Sequence, residues 1–538
     1  MKSRYTNVMK RYINKPNAMS PRASADRRHI LVIGAGIGGL TAAALLAKRG
    51  YRVSAYDLAI VPGGCASTFQ RRGFTFDVGA TQVAGLEPGG IHHRIFSELG
   101  IALPEATPCD PACAVVLPGE TEPINIWRDR DKWRAERQRQ FPGSEPFWRL
   151  METMFEASWA FQSRDPVLPP RDPWDVWQLT QALRLDTLVT VPFTFATVGD
   201  VLRLFGLDKQ PRLRTFLDLQ LKLYSQVDAE NTAFLYAATA LGVSQTPQGL
   251  YHLHGSMQVL SDRLVSALEH HGGTLKMRHA VTQLTTDHHQ GDRVVAATIC
   301  NVKTGETVIE QYDAVVANVT VQNLVSLLED PTAIDPTTTK PALPRSMRGY
   351  RQRVETLPPA SGAFVIYLGV DAAAIPAGCP PHLQFLYDPT QPIAENNSLF
   401  VSVSRPGDGR APDGCATIIA SSFTETDRWW DNDTYDDLKQ RYTDEAIARL
   451  SSYFHLTPET TLYTEAATPK TFQTFTGRDR GVVGGIGQRV PTFGPFGFAN
   501  RTPLPNLWLV GDCTHPGEGT AGVSYSALTA VRQLERHF

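Results

Sequence analysis

The sequence predicts an α/β protein with a nucleotide-binding domain and a discontinuous second domain of mixed α+β structure. A glycine-rich strand–helix–strand pattern stands near the N-terminus, and short apolar strands return later in the chain. At 538 residues the chain is too long for a single hydrophobic core, which favours about two to four compact units. We expect the nucleotide-binding domain to comprise residues 29–100, 250–330 and 465–538, and the second domain to comprise residues 101–249 and 331–464.

The stretch 31–57 carries the main fold signal. It reads LVIGAGIGGLTAAALLAKRGYRVSAYD, which is a short apolar strand, a glycine turn, an Ala/Leu-rich helix and a second strand. This order is that of a Rossmann-like β-α-β unit with the G-x-G-x-x-G spacing. Its candidate nucleotide-binding residues are Gly34, Gly36, Gly38, Gly39 and Asp57.

These residue types have defined roles in such a unit. Gly34 permits the tight turn, Gly36 lets a pyrophosphate approach the backbone, and Gly39 lets helix and strand pack closely. The helix N-terminus offers N–H groups and partial positive charge to phosphates. Asp57 can accept hydrogen bonds from an adenosine ribose, and its charge disfavours the 2′-phosphate of NADP. The alternative is a β-α-β unit that packs without a ligand.

A second glycine loop follows directly. Gly63 and Gly64 stand behind Asp57, where a cofactor larger than a mononucleotide would continue, although an ordinary β-turn explains them equally. The segment RRGFTFDVGA (71–80) alternates polar and apolar residues, which predicts a strand or strand-turn beside the ligand.

The second domain is predicted from the intervening segments. They are rich in proline and tryptophan, and the patterns predict a helix at 146–161 and strands at 362–368 and 399–402. The markedly apolar segment 183–207 has three interpretations: a buried helix pair, a face lying in a membrane interface, or the wall of a tunnel for a long apolar substrate.

The C-terminal region indicates FAD. A strand at 507–510 leads to Gly511 and Asp512, and a Gly/Pro-rich loop then feeds a helix near Gly522. Asp512 can accept hydrogen bonds from a ribityl chain, and the helix N-terminus can stabilise negative charge on a reduced flavin. About 450 residues separate Asp57 from Asp512, so the two must meet across an extended dinucleotide, and FAD has that reach.

These motifs resemble the FAD-dependent amine oxidase superfamily. The closing pattern G-D-x-T-H-P-G-x-G-x-x-G-V is similar to that of its carotenoid desaturase and isomerase branch, the phytoene desaturase type, and the resemblance covers nearly everything after residue 28. It implies FAD contacts from the backbone of Val281 and from Gly522 and Val523. Many members carry arginine directly after the diglycine, where this chain has Cys65, so one phosphate or carbonyl contact is not predicted here.

Two segments resemble cyanobacterial-type carotenoid C-3′,4′ desaturases. They are GATQVAGLEPGGIHHRIFSELG (79–100) and HPGEGTAGVSYSALTAVRQL (515–534). The resemblance implies FAD-dependent desaturation of a 1′-hydroxy carotenoid end group in myxoxanthophyll-type biosynthesis, with a quinone or oxygen as electron acceptor. One alternative is a carotenoid cis-trans isomerase that uses reduced FAD, a group in which glutamine tends to stand at the position of Glu518. The other is a non-catalytic carotenoid-binding flavoprotein.

The candidate catalytic residues are His515 and Glu518 in the closing loop. As polar groups beside the flavin they are predicted to accept a proton or to orient the substrate. The alternative is a structural role, in which they cap the loop or the following helix.

Composition narrows the partners and the location. The net charge of −2 argues against nucleic-acid binding. The seven cysteines are scattered, which predicts that the protein resides in a reducing compartment and that it has no cysteine metal site. No apolar run predicts a transmembrane helix. Residues 1–28 are expected to form a disordered basic tail or to precede a start at Met19; a transit segment or an arm on anionic lipid are the alternatives. We therefore expect a cytoplasmic protein that contacts the cytoplasmic or thylakoid membrane peripherally and binds a long apolar carotenoid.

Overall fold

The computed structural model describes residues 27–287, 292–334 and 339–538. The predicted basic tail therefore lies outside the described residues, apart from Arg27 and Arg28. The helices are α1 (Ile37–Lys48), α2 (Ile91–Leu99), α3 (Arg130–Gln140), α4 (Glu145–Gln162), α5 (Pro173–Ala182), α6 (Val198–Leu204), α7 (Pro211–Ser225), α8 (Phe234–Ser244), α9 (Gln258–His270), α10 (Val321–Leu328), α11 (Arg348–Glu355), α12 (Tyr435–Leu450), α13 (Pro469–Thr476) and α14 (Thr520–His537).

The strands form several sheets, of which two are large. In chain order the strands are β1 (His29–Ile33), β2 (Arg52–Asp57), β3 (Thr68–Arg71), β4 (Phe74–Asp77), β5 (Ala106–Pro108), β6 (Cys113–Val116), β7 (Ile124–Ile126), β8 (Tyr251–Leu253), β9 (Thr274–Met277), β10 (His279–Asp287), β11 (Arg293–Asn301), β12 (Thr307–Gln311), β13 (Ala314–Ala317), β14 (Asp330–Ile334), β15 (Pro341–Ala342), β16 (Ser361–Asp371), β17 (His382–Leu386), β18 (Ser398–Val403), β19 (Cys415–Glu425), β20 (Thr461–Ala467) and β21 (Leu507–Leu509).

The first large sheet is parallel and has the order β21-β13-β1-β2-β9. Helices α1, α9 and α14 pack on one face, and the antiparallel sheet β10-β11-β12 with α10 and α11 covers the other. Both faces are therefore buried, which explains why β1 and β13 are continuous apolar runs. The chain leaves β1 for β2 on one side and reaches β13 on the other, so the carboxyl ends of β1 and β13 form a crevice at which such sheets bind ligands.

The second large sheet has the order β20-β16-β19-β18-β17-β6-β7. Its strands are antiparallel except for the β17–β6 pair, and they come from both expected segments of the second domain. Helix α12 packs on one face, and the other face meets β3 and β4. The predicted fold class, a Rossmann-like α/β domain with a mixed α+β second domain, is confirmed. Because β20 ends at Ala467 within this sheet, we propose the last domain boundary there rather than after residue 464.

A buried ion pair joins the two domains. Asp77, at the end of β4, accepts a hydrogen bond from Arg410 Nη2 at 3.0 Å, and both side chains are buried. The other oxygen of Asp77 accepts from the Met257 amide at 2.8 Å, just before α9. Arg410 also donates to the Leu253 carbonyl at 3.0 Å. One arginine of the second domain is thereby fixed to two separate segments of the nucleotide-binding domain.

The apolar segment 183–207 is only partly in the core. Helix α6 buries Val198, Val201 and Leu202, so the interpretation as a buried helix holds there. The large apolar side chains before it are mostly exposed, and no residue of the segment lines the central cavity. The segment therefore forms no part of the wall of this cavity. In the described ranges no helix is both long and apolar enough to span a membrane.

Candidate functional site

One cavity of about 710 Å³ lies at the carboxyl ends of β1, β2, β13 and β21. It continues between α4 and α8 to the inner face of the second sheet, where Val365 and Ser421 line it. The cavity thus joins the glycine turn of the nucleotide-binding domain to the second domain.

The glycine turn admits no larger residues. Gly34 has φ +88° and donates its amide to the Tyr56 carbonyl at 2.8 Å. A Cβ atom on Gly39 would lie 1.9 Å from the Gly34 oxygen, which no packing adjustment can accommodate. Gly34, Gly36 and Gly38 line the cavity, whereas Gly39 lies behind them and serves close packing, as the spacing predicts.

Asn318 completes the turn, and the sequence analysis did not identify it as a site residue. It follows β13, and its amide donates to the Ile33 carbonyl at 2.8 Å. Its side chain closes the space around the glycines: a Cβ atom on Gly36 or Gly38 would lie 2.8 or 2.9 Å from it, and one on Gly511 3.0 Å. Asn318 therefore shapes the crevice between β1 and β13.

Asp57 and the second glycine loop lie on the other side of the turn. Asp57 accepts hydrogen bonds from the amides of Ala35 at 2.6 Å and Ala59 at 2.7 Å. Burial raises the pKa of Asp57, and these amides oppose that shift. The Gly63 amide donates to the Ala35 carbonyl at 2.8 Å, and a Cβ atom on Gly64 would lie 3.3 Å from the Gly36 Cα. The two glycine loops are thus in direct contact along the cavity wall.

The predicted C-terminal residues lie opposite. Gly511 and Asp512 follow β21, and α14 begins at Thr520, so that Gly522 and Val523 occupy its first turn. All four line the cavity, as does Val281 in β10. A helix N-terminus therefore points to the cavity from this side, in addition to that of α1.

Glu518 lines the cavity as a buried carboxyl group. It accepts a hydrogen bond from Gln226 Nε2 at 2.8 Å, and Gln488 is a second partner. Burial raises the pKa of Glu518 well above its usual value, and these two hydrogen bonds only partly oppose the shift. Burial therefore favours the protonated form of Glu518 over the ionised form.

His515, the other candidate, does not line the cavity. Its Nε2 lies 2.6 Å from the amide nitrogen of Gln162, which does line it, and its ring packs 5.8 Å from that of Phe493. Burial lowers the pKa of His515 to about 3, so the imidazole is neutral. The sequence placed His515 beside Glu518, but the loop turns its side chain into the protein, and it reaches the cavity only through Gln162.

The rest of the wall is mostly apolar and aromatic. The aromatic residues that line the cavity are Tyr56, Trp159, Tyr224, Tyr236, Phe400, Phe423, Phe472, Phe475, Phe493 and Tyr525. Such a wall suits a long apolar ligand better than a charged one. In the described part of the chain no group of three His, Cys, Asp or Glu side chains could hold a metal ion.

Three comparisons place the chain among known proteins. Residues 32–99 match the family model described as NAD(P)-binding Rossmann-like domain. Prolycopene isomerase 1, chloroplastic, of an Oncidium hybrid cultivar is 25% identical, with 95% of this chain and 84% of that protein covered. The 4,4′-diapophytoene desaturase (4,4′-diapolycopene-forming) of Methylomonas sp is 23% identical, with 95% and 96% covered. Cyclohexylamine oxidase from Brevibacterium oxydans IH-35A has the same fold, with a TM-score of 0.58, 15% identity and coverage of 95% and 100%.

The residues present fit FAD. Two glycine loops in contact, two helix N-termini and the carboxylates of Asp57 and Asp512 line one extended cavity. A Cβ atom in the glycine turn would collide with Gly34 or Asn318. These are the groups that bind a pyrophosphate between two ribose-like chains. The FAD prediction agrees with the comparisons.

Proposed function

We propose that this chain is an FAD-dependent oxidoreductase that modifies carotenoids. The observation that carries the proposal is the single cavity that runs from the glycine turn to an aromatic wall. It brings a dinucleotide site and a long apolar site together without a barrier between them. The names of the similar proteins, prolycopene isomerase and diapophytoene desaturase, support the carotenoid as substrate.

The aromatic wall provides the substrate contacts in this proposal. A polyene is flat and apolar, so it packs favourably against rings such as Tyr236, Phe400 and Phe423 while leaving few polar groups unpaired. The protein then contributes mainly positioning and the exclusion of water.

The first reaction that we propose is desaturation of a carotenoid. More specifically, we propose that the enzyme introduces the C-3′,4′ double bond into a 1′-hydroxy carotenoid end group. When bound, FAD supplies the acceptor for a hydride removed from a C–C bond next to the polyene. One proton must also leave the substrate, and Glu518 is the cavity-lining carboxyl that can take it in its ionised form. The resemblance of segments 79–100 and 515–534 to carotenoid C-3′,4′ desaturases supports this specific reaction. A quinone or oxygen would be the final electron acceptor.

Cis-trans isomerisation is the second candidate, and one observation favours it. Burial raises the pKa of Glu518, which favours its protonated form as a proton donor. An isomerase can lend such a proton to the polyene and recover it, with no net transfer of electrons. The similarity to prolycopene isomerases points in the same direction.

Peripheral contact with a membrane is part of the proposal, because carotenoids dissolve in lipid. Ten large apolar side chains are exposed within residues 176–205, half of all such side chains found exposed in the described ranges. An exposed apolar cluster of this size favours contact with a partner or a lipid surface. A cytoplasmic or thylakoid membrane is the expected site.

Anaerobic mixing of the purified holoprotein with 1′-hydroxy carotenoids distinguishes the candidates. A desaturase bleaches bound flavin in proportion to product and lengthens the chromophore. An isomerase, with its flavin reduced beforehand, changes the isomer without net redox change. A protein that binds the pigment but does neither is a non-catalytic carotenoid-binding flavoprotein, and this result would contradict the proposed enzyme.

A further inference from the structure

Arg478 is a basic side chain in the cavity wall, next to the C-terminal segment of Gly511 and Asp512. It follows α13 and lines the cavity. Its Nε donates to the Val482 carbonyl at 2.7 Å, and its Nη2 donates to Asp512 Oδ2 at 2.8 Å. Its Nη1 makes no hydrogen bond to any residue that the structure describes. The guanidinium is thus held on one edge while the other edge remains able to donate.

The neighbours of Arg478 belong to both walls of the crevice. Asp512 directly follows Gly511, against which Asn318 packs. On the other wall is Cys65, in the segment Gly64–Ala66 against which α13 packs. Burial raises the pKa of the Cys65 thiol, and the charge of Arg478 opposes that shift. Cys65 directly follows Gly64, which touches the glycine turn at Gly36. Arg478 therefore hydrogen-bonds the residue that follows Gly511 and, like the residue that follows Gly64, lines the cavity.

Arg478 is the cavity-lining arginine that lies beside Asp512, next to Gly511. Arg94 is the other arginine that lines the cavity; its Nη2 pairs with Asp165 of the second domain at 2.7 and 2.9 Å, and there is no lysine among the described lining residues. A dinucleotide pyrophosphate carries two negative charges, whereas a helix N-terminus offers only a partial positive charge. The second glycine loop contributes none, since it ends in the neutral Cys65.

We propose that Arg478 binds the pyrophosphate of FAD with its free edge and, with its other edge, orients Asp512 toward the ribityl chain. This inference rests on the proposed FAD site. A guanidinium suits both tasks, because its donors form a rigid planar fork that can serve two oxygen acceptors at once. A residue that lies 413 positions after Cys65 thus supplies the cation that the second glycine loop lacks.

Variants of the holoenzyme test the proposal. Arg478→Gln should weaken FAD binding roughly 10- to 100-fold, the usual effect of losing a charge-assisted hydrogen bond, as measured by flavin release on dilution. Arg478→Lys keeps the positive charge but loses the planar set of donors, so it should weaken FAD binding less than Arg478→Gln does. Arg480→Gln is the matched control: Arg480 lies on the same segment, is 49% exposed and pairs with Asp427, so its loss should leave FAD binding unchanged.

A second measurement separates pyrophosphate binding from a purely structural role. ADP carries the pyrophosphate without the flavin, and riboflavin carries the flavin without the pyrophosphate. In Arg478→Gln, competition by ADP should weaken roughly 10- to 100-fold, because ADP carries the pyrophosphate. Competition by riboflavin should weaken by a smaller factor, because riboflavin keeps only the ribityl chain that Asp512 contacts. FAD binding equal to that of the wild type, or equal loss for riboflavin, would overturn the inference. Failure of the wild-type protein to bind FAD at all would instead contradict the proposed function.

Discussion

Glu518 is a buried carboxyl group in the wall of a cavity that otherwise suits an apolar ligand. Burial raises the pKa of Glu518, and Gln226 and Gln488 hydrogen-bond its carboxyl group. The sequence identified Glu518 from its position in the closing loop, but not the burial and hydrogen bonds that shift its pKa, because Gln226, directly after α7, lies 292 positions away in the chain. The raised pKa makes the pH dependence of the reaction informative.

We expect the pH profile to distinguish the two candidate reactions. Desaturation needs ionised Glu518 as proton acceptor, so its rate should rise with pH through the raised pKa. Isomerisation needs the protonated acid first, so its rate should fall over the same range. For desaturation, Glu518→Gln should lower turnover about 10²- to 10⁴-fold with full flavin occupancy, and unchanged desaturation would remove Glu518 from the chemistry.

The same group affects stability. Glu518 ionises near its usual pKa when unfolded but above it when folded, so its contribution is complete at low pH and is lost as pH rises through the folded pKa. The melting temperature of Glu518→Gln should therefore fall less steeply with rising pH than the melting temperature of the wild type. Parallel curves for the two proteins would contradict the raised pKa.

Gly39 tests the packing of the glycine turn. Because a Cβ atom there would meet the Gly34 oxygen at 1.9 Å, Gly39→Ala should separate α1 from β1, with loss of bound flavin and a lower melting temperature. Gly349→Ala is the control, since nothing lies within 4 Å of its Cβ position in α11, where alanine is the better helix former. Wild-type flavin content in Gly39→Ala would show that the turn is less tightly packed than described.

At the scale of elements, the ion pair between Asp77 and Arg410 holds the domains together. Arg410→Gln leaves the Asp77 carboxylate buried without its cation, which we expect to cost about 3–5 kcal/mol of unfolding free energy. Arg134→Gln removes an exposed pair with Asp131 and should cost less than about 1 kcal/mol. Denaturant unfolding of the two variants measures this difference. Equal losses of unfolding free energy would argue against a stabilising role of the buried pair between the domains.

The apolar segment is the element expected to contact lipid. Replacing Leu185, Phe195 and Leu204 with serine should reduce co-sedimentation with lipid vesicles roughly tenfold or more, because their side chains are 87%, 70% and 71% exposed. Folding should not change, since these side chains bury little. Ile309→Ser is the matched control: Ile309 is 72% exposed but lies on β12, and its loss should leave vesicle binding unaltered. Equal vesicle binding by all variants would rule out this segment as the contact.

Most elements of the nucleotide-binding domain could be predicted because their signals are local. The strand, glycine turn and helix of 31–57 are contiguous in sequence, and the strands at 314–317 and 507–509 are short buried runs. The apolar segment was ambiguous for the opposite reason. Its composition suits core, tunnel wall and membrane interface alike, and only the tertiary fold shows which of its side chains are covered.

At the scale of the whole molecule, the assembly of the site could be predicted only in outline. The sequence shows that Asp57 and Asp512 must meet, since a dinucleotide has to connect them. It does not show Arg478 or Asn318, whose roles depend on which segments the fold brings into contact across the crevice. For the same reason the second sheet, which unites strands from residues 113 to 467, has no signal in any single segment.

The central claim is that both ends of the chain bind one FAD molecule, and the flavin content of the purified protein tests it most directly. The account predicts one FAD per chain, released on denaturation and taken up again when FAD is added to apoprotein. A protein that is colourless as purified and binds no FAD when it is supplied would contradict the account, since the proposed chemistry would have no electron acceptor.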